Sequence, residues 1–581
     1  MTGVPVRHTK FASWIDEDAW MERMSGPKWK AVLKDEATLI KKYTDKQEVK
    51  KRISDYIELY KNLSSKKLTD IPFQSGIVQI KWQSEFFKTW WFINSPEEKH
   101  ECRDVLVTND AVYCTVDIHD GAEFFELQKW TGPYSKKPEY KISPVGPDIA
   151  IVDNNIYYMG VINKLRYYQL WKMSTSGTNR VCIYKEPSDE INLAIHRLDD
   201  GRVLFSKENS QDFTYYSLPS MKETSKYNSV KIPIKEYGID WAWKRHDFVI
   251  TKQHGKKTFW KGSKKLLELS AGEILVDPYA VHSGTLPCLV YITTPIGSSY
   301  YTLNKDSLTL IEEKYQKLTS RRIQGYSKDG TVVHGILTYS GKPRHLFAIG
   351  YGAYGMVTHP SPVMVRWAPL VTSGWAILYT FIRGGGDHTD EWAKAGRIEG
   401  RQKTIEDFEG LIRASQQTLS ISPKDTAIYG RSAGGLLMGG SLANNPDATL
   451  ASAVYAEVPY SDELRTTTNP DLPLTTLEHN EFGKPSDRLE DFLSVGLLSP
   501  VDTALIIKTP SIFVLTRTAE FDSQVFAYEP VKWIRRLRKG GGLKLCIIES
   551  GQGHFTPPDK TIQQWAVDCA LIDSWIKGSM R

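Results

Sequence analysis

Between about residues 72 and 320 an aromatic pair returns at a nearly constant interval: Phe124-Phe125, Tyr167-Tyr168, Tyr215-Tyr216, Phe259-Trp260 and Tyr300-Tyr301. Successive starts are 43, 48, 44 and 41 residues apart, and Trp90-Trp91 stands 34 residues upstream of the first. Each pair lies in a short β-rich run bounded by Gly, Asn, Asp, Ser or Pro, with no helical period between them. A recurring unit of this size is a four-stranded sheet that cannot bury its faces alone and stacks against copies of itself, as propeller blades do. The competing reading is that paired aromatics are common in strands and the spacing is coincidental. The repeat predicts an all-β propeller of five to seven blades over residues 72–320.

The flanking regions have a different texture. Residues 1–71 are rich in Lys, Glu and Asp, and Ile53, Tyr56, Ile57 and Tyr60 follow the i, i+3, i+4, i+7 spacing of an amphipathic helix, so a helical arm that packs on another domain is expected. From 321 to 581 apolar strands alternate with helices: His345–Ile349, Ala376–Thr380, Thr426–Tyr429, Ser511–Leu515 and Leu545–Ile548 read as buried parallel strands. The expected fold class is α/β for this last domain, preceded by the propeller and the arm.

Chemistry concentrates in the α/β domain. Gly430-Arg431-Ser432-Ala433-Gly434 fits G-x-S-x-G directly after an apolar strand, where small residues let the chain turn sharply and present a serine hydroxyl. A serine of ordinary pKa needs a histidine to take its proton and a carboxylate to orient that histidine. Only His479 and His554 of the 13 histidines follow Ser432, and only His554 sits just past a strand, in a glycine loop. Asp522, 90 residues after Ser432 and 32 before His554, also follows a strand. The order Ser, Asp, His is that of α/β-hydrolases. The Ala433 amide and a group from Gly350–Gly355 are the expected oxyanion donors. Gly350–Gly355 also fits G-x-G-x-x-G, but Pro360 and Pro362 stand where a dinucleotide-binding helix would begin. Neither Gly384–Gly386 nor Gly540–Gly542 carries the Lys-Ser/Thr of a phosphate loop. No cofactor is expected.

The stretches Tyr351–Gly355, Ile382–Gly386, Ser432–Gly435 with Leu437–Gly439, and Asp522–Val525 with Glu529–Trp533 resemble the prolyl oligopeptidase family, in its oligopeptidase B branch. Leu474–Thr476, Glu481–Gly483 and Ser499-Pro500 fit as well. The resemblance covers the C-terminal 260 or so residues, is faint over the arm, and rests only on the repeat in the β region. It implies an α/β-hydrolase domain capped by a propeller that admits short, unfolded peptides. It further implies Ser432 as nucleophile, His554 as general base and acid, Asp522 as orienter, and the Tyr351 hydroxyl beside the Ala433 amide in the oxyanion hole. The family usually has seven blades, and a β region of about 250 residues with a 44-residue mean step holds five or six. The branch holds a Lys or Arg before the scissile bond with acidic residues, in a stretch that here reads Leu477-Glu478-His479-Asn480-Glu481. Glu478 supplies one of them, Asn480 stands at the second, and His359 and Ser361 stand near a further acidic pair, so the preference for basic residues is expected to be relaxed.

The leading expectation is a serine oligopeptidase. An esterase, thioesterase or peptide ligase on the same scaffold, and a post-proline peptidase, are the alternatives, because a triad specifies acyl chemistry and not the leaving group. A non-catalytic scaffold would have no need of all three residues. Partners other than short peptides are not indicated: 74 basic against 68 acidic residues give a net charge of only +6, no nucleic-acid signal. Met1–Trp20 holds no apolar stretch of signal-peptide length and no membrane-length window occurs, so a cytoplasmic protein is expected. The six scattered cysteines form no C-x-x-C pair, and no metal site is expected.

Overall fold

The computed structural model describes residues 6–63, 68–73, 76–82, 88–92, 99–119, 123–132, 135–161, 165–198, 202–209, 212–226, 236–276 and 286–580. Its scaffold is an eight-stranded sheet: β1 (Thr319–Tyr326), β2 (Val332–Tyr339), β3 (His345–Ile349), β4 (Trp375–Phe381), β5 (Thr426–Arg431), β6 (Ala453–Glu457), β7 (Phe513–Ala519) and β8 (Lys544–Glu549), in the order β1-β2-β4-β3-β5-β6-β7-β8. The first pairings are antiparallel, and those from β4 to β8 are parallel. Successive side chains on a strand point to opposite faces, so a doubly covered sheet needs apolar residues at every position. Ala348, Ile428, Val454 and Val514 pack on one face with the helices Arg401–Leu419, Gly434–Asn444 and Tyr528–Lys539. Phe347, Tyr429, Tyr455 and Leu515 pack on the other with Pro558–Ile576.

Among the described residues, Leu68–Tyr315 form five antiparallel sheets, of four strands except for one of seven. The seven-stranded sheet contains a 13-residue strand, Tyr140–Val152, whose N-terminal part pairs with Phe125–Trp130 and whose C-terminal part pairs with Asn155–Val161, with the register shifting between. Counting that shared strand twice gives six four-strand units. Every aromatic pair of the repeat lies on or at the edge of the third strand of its unit: Lys88–Phe92, Phe125–Trp130, Tyr167–Ser174, Asp212–Leu218, Lys256–Lys261 and Gly297–Leu303. The 44-residue period is therefore one sheet. Asp148, Ile195, Arg197, Asp240 and Trp241, from the first strands of three adjoining units, line a common polar space of about 400 Å³.

Of the expected arm 1–71, residues 1–5 and 64–67 lie outside the described residues. The remainder contains helices Gly26–Thr44 and Gln47–Leu63, which clasp the eight-stranded sheet from both sides. Trp29 and Val32 join the first face, and Val49, Tyr56 and Tyr60 join the second. Electrostatics fastens the segment before them. Lys532, fully buried, donates to Asp16 at 2.9 Å, Glu22 at 3.0 Å and Asp462 at 2.8 Å, and Arg536 pairs with Asp16 and Asp18. Burial alone would lower the Lys532 pKa, but the three carboxylates overcome it and raise it. Without Lys532, buried Asp462 loses its paired cation, while Asp16 keeps Arg536 and Glu22 keeps Arg465. Lys532→Met is thus expected to cost about 3–5 kcal/mol in urea unfolding and to open residues 6–23 to limited proteolysis. No helix among the described residues is long and apolar enough to cross a membrane.

Candidate active site

Strand β5 ends at Arg431 and a helix begins at Gly434, so Ser432 must turn the chain within two residues. Its φ is +53°, a left-handed conformation that costs a non-glycine residue on the order of 1–3 kcal/mol. The neighbours permit that turn because they lack a Cβ. A side-chain carbon on Gly430 would lie 2.4 Å from the Gly434 carbonyl oxygen, and one on Gly435 would lie 2.6 Å from Pro459. The Ser432 amide donates to the Glu457 carbonyl and its carbonyl accepts from the Tyr460 amide, both at 2.9 Å.

Asp522 and His554 lie on the loops after β7 and β8, buried to 2% and 3% exposure. Asp522 Oδ2 is 2.7 Å from His554 Nδ1, while Oδ1 accepts the amides of Gln524 at 3.0 Å and Val525 at 2.8 Å. The carboxylate is thereby fixed on one side by backbone and faces the imidazole with the other. Among the described contacts no hydrogen bond joins Ser432 Oγ to His554; such bonds are often long before substrate binds. What ties the two loops is Arg431, which donates from Nη2 to the His554 carbonyl and sits 5.2 Å from the centre of the Phe555 ring. Arg431 is also held at 3.6 Å by Glu457, which accepts from Arg366 at 2.5 Å and from the Tyr429 hydroxyl at 2.6 Å. Burial works against the Glu457 charge, yet Arg366 and Arg431 hold its pKa at about 2. Arg431 is the variable position of G-x-S-x-G, so the motif contained it while its partner was invisible.

The Gly350–Gly355 loop runs beside the elbow: Ala433, Ala353, Tyr351 and Tyr354 share one apolar cluster with Tyr460 and Phe482. Burial raises the Tyr351 pKa above its usual value, so the hydroxyl keeps its proton. Glu481 anchors this loop, accepting from the Tyr354 amide at 2.9 Å and from Arg401 at 2.8 Å. Glu478, in the helix Thr475–Phe482, accepts from the Tyr354 hydroxyl at 2.5 Å; burial, reinforced by the Glu481 charge against the tyrosine bond, raises its pKa to about 7. Asn480 turns instead to the β region, donating to Asp212 at 2.9 Å. His359 is likewise paired across the domains, with Glu273 at 2.5 Å.

One residue at this site comes from the β region. Glu123 Oε2 accepts from Gln524 at 2.7 Å and Ser523 at 3.3 Å, the two residues after Asp522. Nothing local in the sequence marks it.

Residues 363–578 match the prolyl oligopeptidase family. Protease 2 of Moraxella lacunata is 31% identical over 216 residues, 37% of this chain and 30% of that protein. Human prolyl endopeptidase-like protein is 33% identical over 286 residues, 46% of this chain and 38% of that one. The chain thus spans about a third of the length of these curated relatives. Among solved structures, oligopeptidase B from Leishmania major superposes with a TM-score of 0.79 at 17% identity, covering 98% of this chain and 95% of that one. Prolyl oligopeptidase B from Galerina marginata, bound to a 35mer hydrolysis and macrocyclization substrate, gives 0.80 at 14% identity and covers 100% and 98%. At such identities the likeness is one of fold. Over residues 363–578, where Ser432, Asp522 and His554 lie, this chain matches the prolyl oligopeptidase family.

Proposed function

We propose that the chain is a serine oligopeptidase that hydrolyses short peptides through an acyl-enzyme. The observation that carries this reading is the buried Asp522–His554 hydrogen bond beside a serine held at φ +53°. Ser432 Oγ attacks the scissile carbonyl while His554 Nε2 takes its proton, and Asp522 keeps Nδ1 protonated and stabilises the imidazolium. The Ala433 amide and the Tyr351 hydroxyl receive the oxyanion. In this reading the six four-strand units close into a propeller, three of them meeting at the polar space lined by Asp148, Arg197 and Asp240, and a closed ring would admit only short, unfolded peptides. The six free thiols suit a reducing compartment, and we place the protein in the cytoplasm.

The test is reaction of the wild-type protein with an aryl phosphonate, followed by digestion of a peptide library read by mass spectrometry. A phosphonate adduct on Ser432 and cleavage limited to short peptides are expected; an unmodified serine sinks the proposal. Tyr351→Phe removes one oxyanion donor and is expected to lower kcat by about 10²–10³ with KM little changed. A fall in KM-limited binding alone would argue that the tyrosine only packs.

Glu478 gives the reading its substrate preference. With its pKa near 7, the carboxylate is charged above that pH and neutral below it. A relaxed preference for Lys or Arg before the scissile bond is expected, fading as pH falls through about 7 and lost in Glu478→Gln. An unchanged cleavage pattern in that variant would remove Glu478 from substrate recognition.

A further inference from the structure

A cavity of about 550 Å³ opens where the β region meets the histidine loop. Its walls include Gly551 and Phe555, which flank His554, together with His100, Arg103, Asp117 and Glu123 of the β region. That volume is in the range that holds a small ligand. Its position relative to the proposed chemistry is specific. When the tetrahedral intermediate collapses, the carbon–nitrogen bond breaks and His554 returns its proton to the departing nitrogen. The leaving peptide therefore begins on the histidine side of Ser432, and its freed amine takes a further proton from water to become an ammonium ion.

Glu123 stands at this point. Only its Oε2 is engaged by Gln524 and Ser523, leaving Oε1 without a donor among the described residues. Asp117 holds its backbone: Oδ2 accepts the Glu123 amide at 2.9 Å while Oδ1 accepts the His119 amide at 3.0 Å, and Glu123 itself adopts φ +60°. Burial raises the Glu123 pKa, against the Gln524 bond and the His554 charge, which lower it; a bound cation would relieve that cost. The wall carries Lys99, His100 and Arg103 as well, with Glu101 among them, so cations that a carboxylate can pair with line the same cavity as Glu123.

We infer that this cavity is the binding site of the leaving peptide, with Glu123 receiving its new α-ammonium and Lys99 or Arg103 its C-terminal carboxylate. The ligand class is a short zwitterionic peptide, so substrates are cut near their C-terminus. The inference rests on the oligopeptidase reading. It is tested by inhibition of arylamide hydrolysis with Ala-Ala, N-acetyl-Ala-Ala and Ala-Ala amide. Ala-Ala is expected to inhibit about tenfold more strongly than either blocked form, and Glu123→Gln is expected to erase the difference between Ala-Ala and its N-acetyl derivative. Equal inhibition by all three in the wild type, or a difference between Ala-Ala and its N-acetyl derivative that survives in Glu123→Gln, overturns the assignment. Phosphonate labelling of Ser432 in the same samples separates the causes. A labelled enzyme without discrimination rejects this site alone, and an unlabelled one rejects the oligopeptidase reading and this site together.

Discussion

Ser432→Ala is expected to lower kcat for a peptide arylamide by roughly 10⁴–10⁶ while leaving KM within a few-fold. The hydroxyl is the only atom lost. Its removal orphans no hydrogen-bond partner, because the described contacts of Ser432 are made by its backbone. Alanine meets the same left-handed φ that serine already tolerates, so no new strain enters. The unfolding midpoint should therefore stay put, and a drop in activity reports chemistry alone. What remains is the rate supplied by the oxyanion donors and by substrate positioning. If the variant kept more than about a hundredth of wild-type turnover, another nucleophile would have to be found and the acyl-enzyme abandoned.

Asp522→Asn should be almost as damaging, lowering kcat by about 10⁴. The reason is a conflict over one side chain. Oδ1 accepts two backbone amides and Oδ2 faces His554. An asparagine that keeps its oxygen on the Gln524 and Val525 amides must point its NH₂ at His554 Nδ1. The ring then carries its proton on Nε2 and has nothing with which to take one from Ser432. Flipping the amide restores the tautomer but sets an NH₂ against two N–H donors. Either state leaves the fold intact, so near-wild-type stability with lost turnover is expected. A loss of tenfold or less would show that the carboxylate is dispensable and that the geometry serves packing.

The pattern of what was legible in the sequence follows from distance along the chain. Ser432, Asp522 and His554 could be read because each follows an apolar strand and the strands recur in a fixed order. The nucleophile's turn was marked by its own flanking glycines. Strand β6, Ala453–Glu457, escaped notice because five residues with two alanines carry no period, and with it went Glu457, the buried anchor of Arg431. The aromatic repeat gave the sheet interval but not the double use of Tyr140–Val152, since a strand shared between units changes no spacing. Glu123 lies more than 300 residues before Ser432 and meets the Asp522 loop only through domain docking. Likewise, Asn480 reads as a missing acid in sequence, whereas in the structure it is a strut to Asp212.

The clasp around the hydrolase sheet bears on how the molecule can be made. Helices Gly26–Thr44 and Gln47–Leu63 bury Val32 and Tyr56 against a sheet whose last strand ends at Glu549 and a helix that ends at Ile576. On the ribosome these two helices meet those partners only after the strand Lys544–Glu549 and the helix Pro558–Ile576 have emerged. The β units between them are built from neighbouring strands and can assemble as they appear, because domains generally fold as units during synthesis. The α/β sheet is thus completed late relative to the β units, with Arg7 as the local partner of Asp16 and Glu22 until Lys532 arrives.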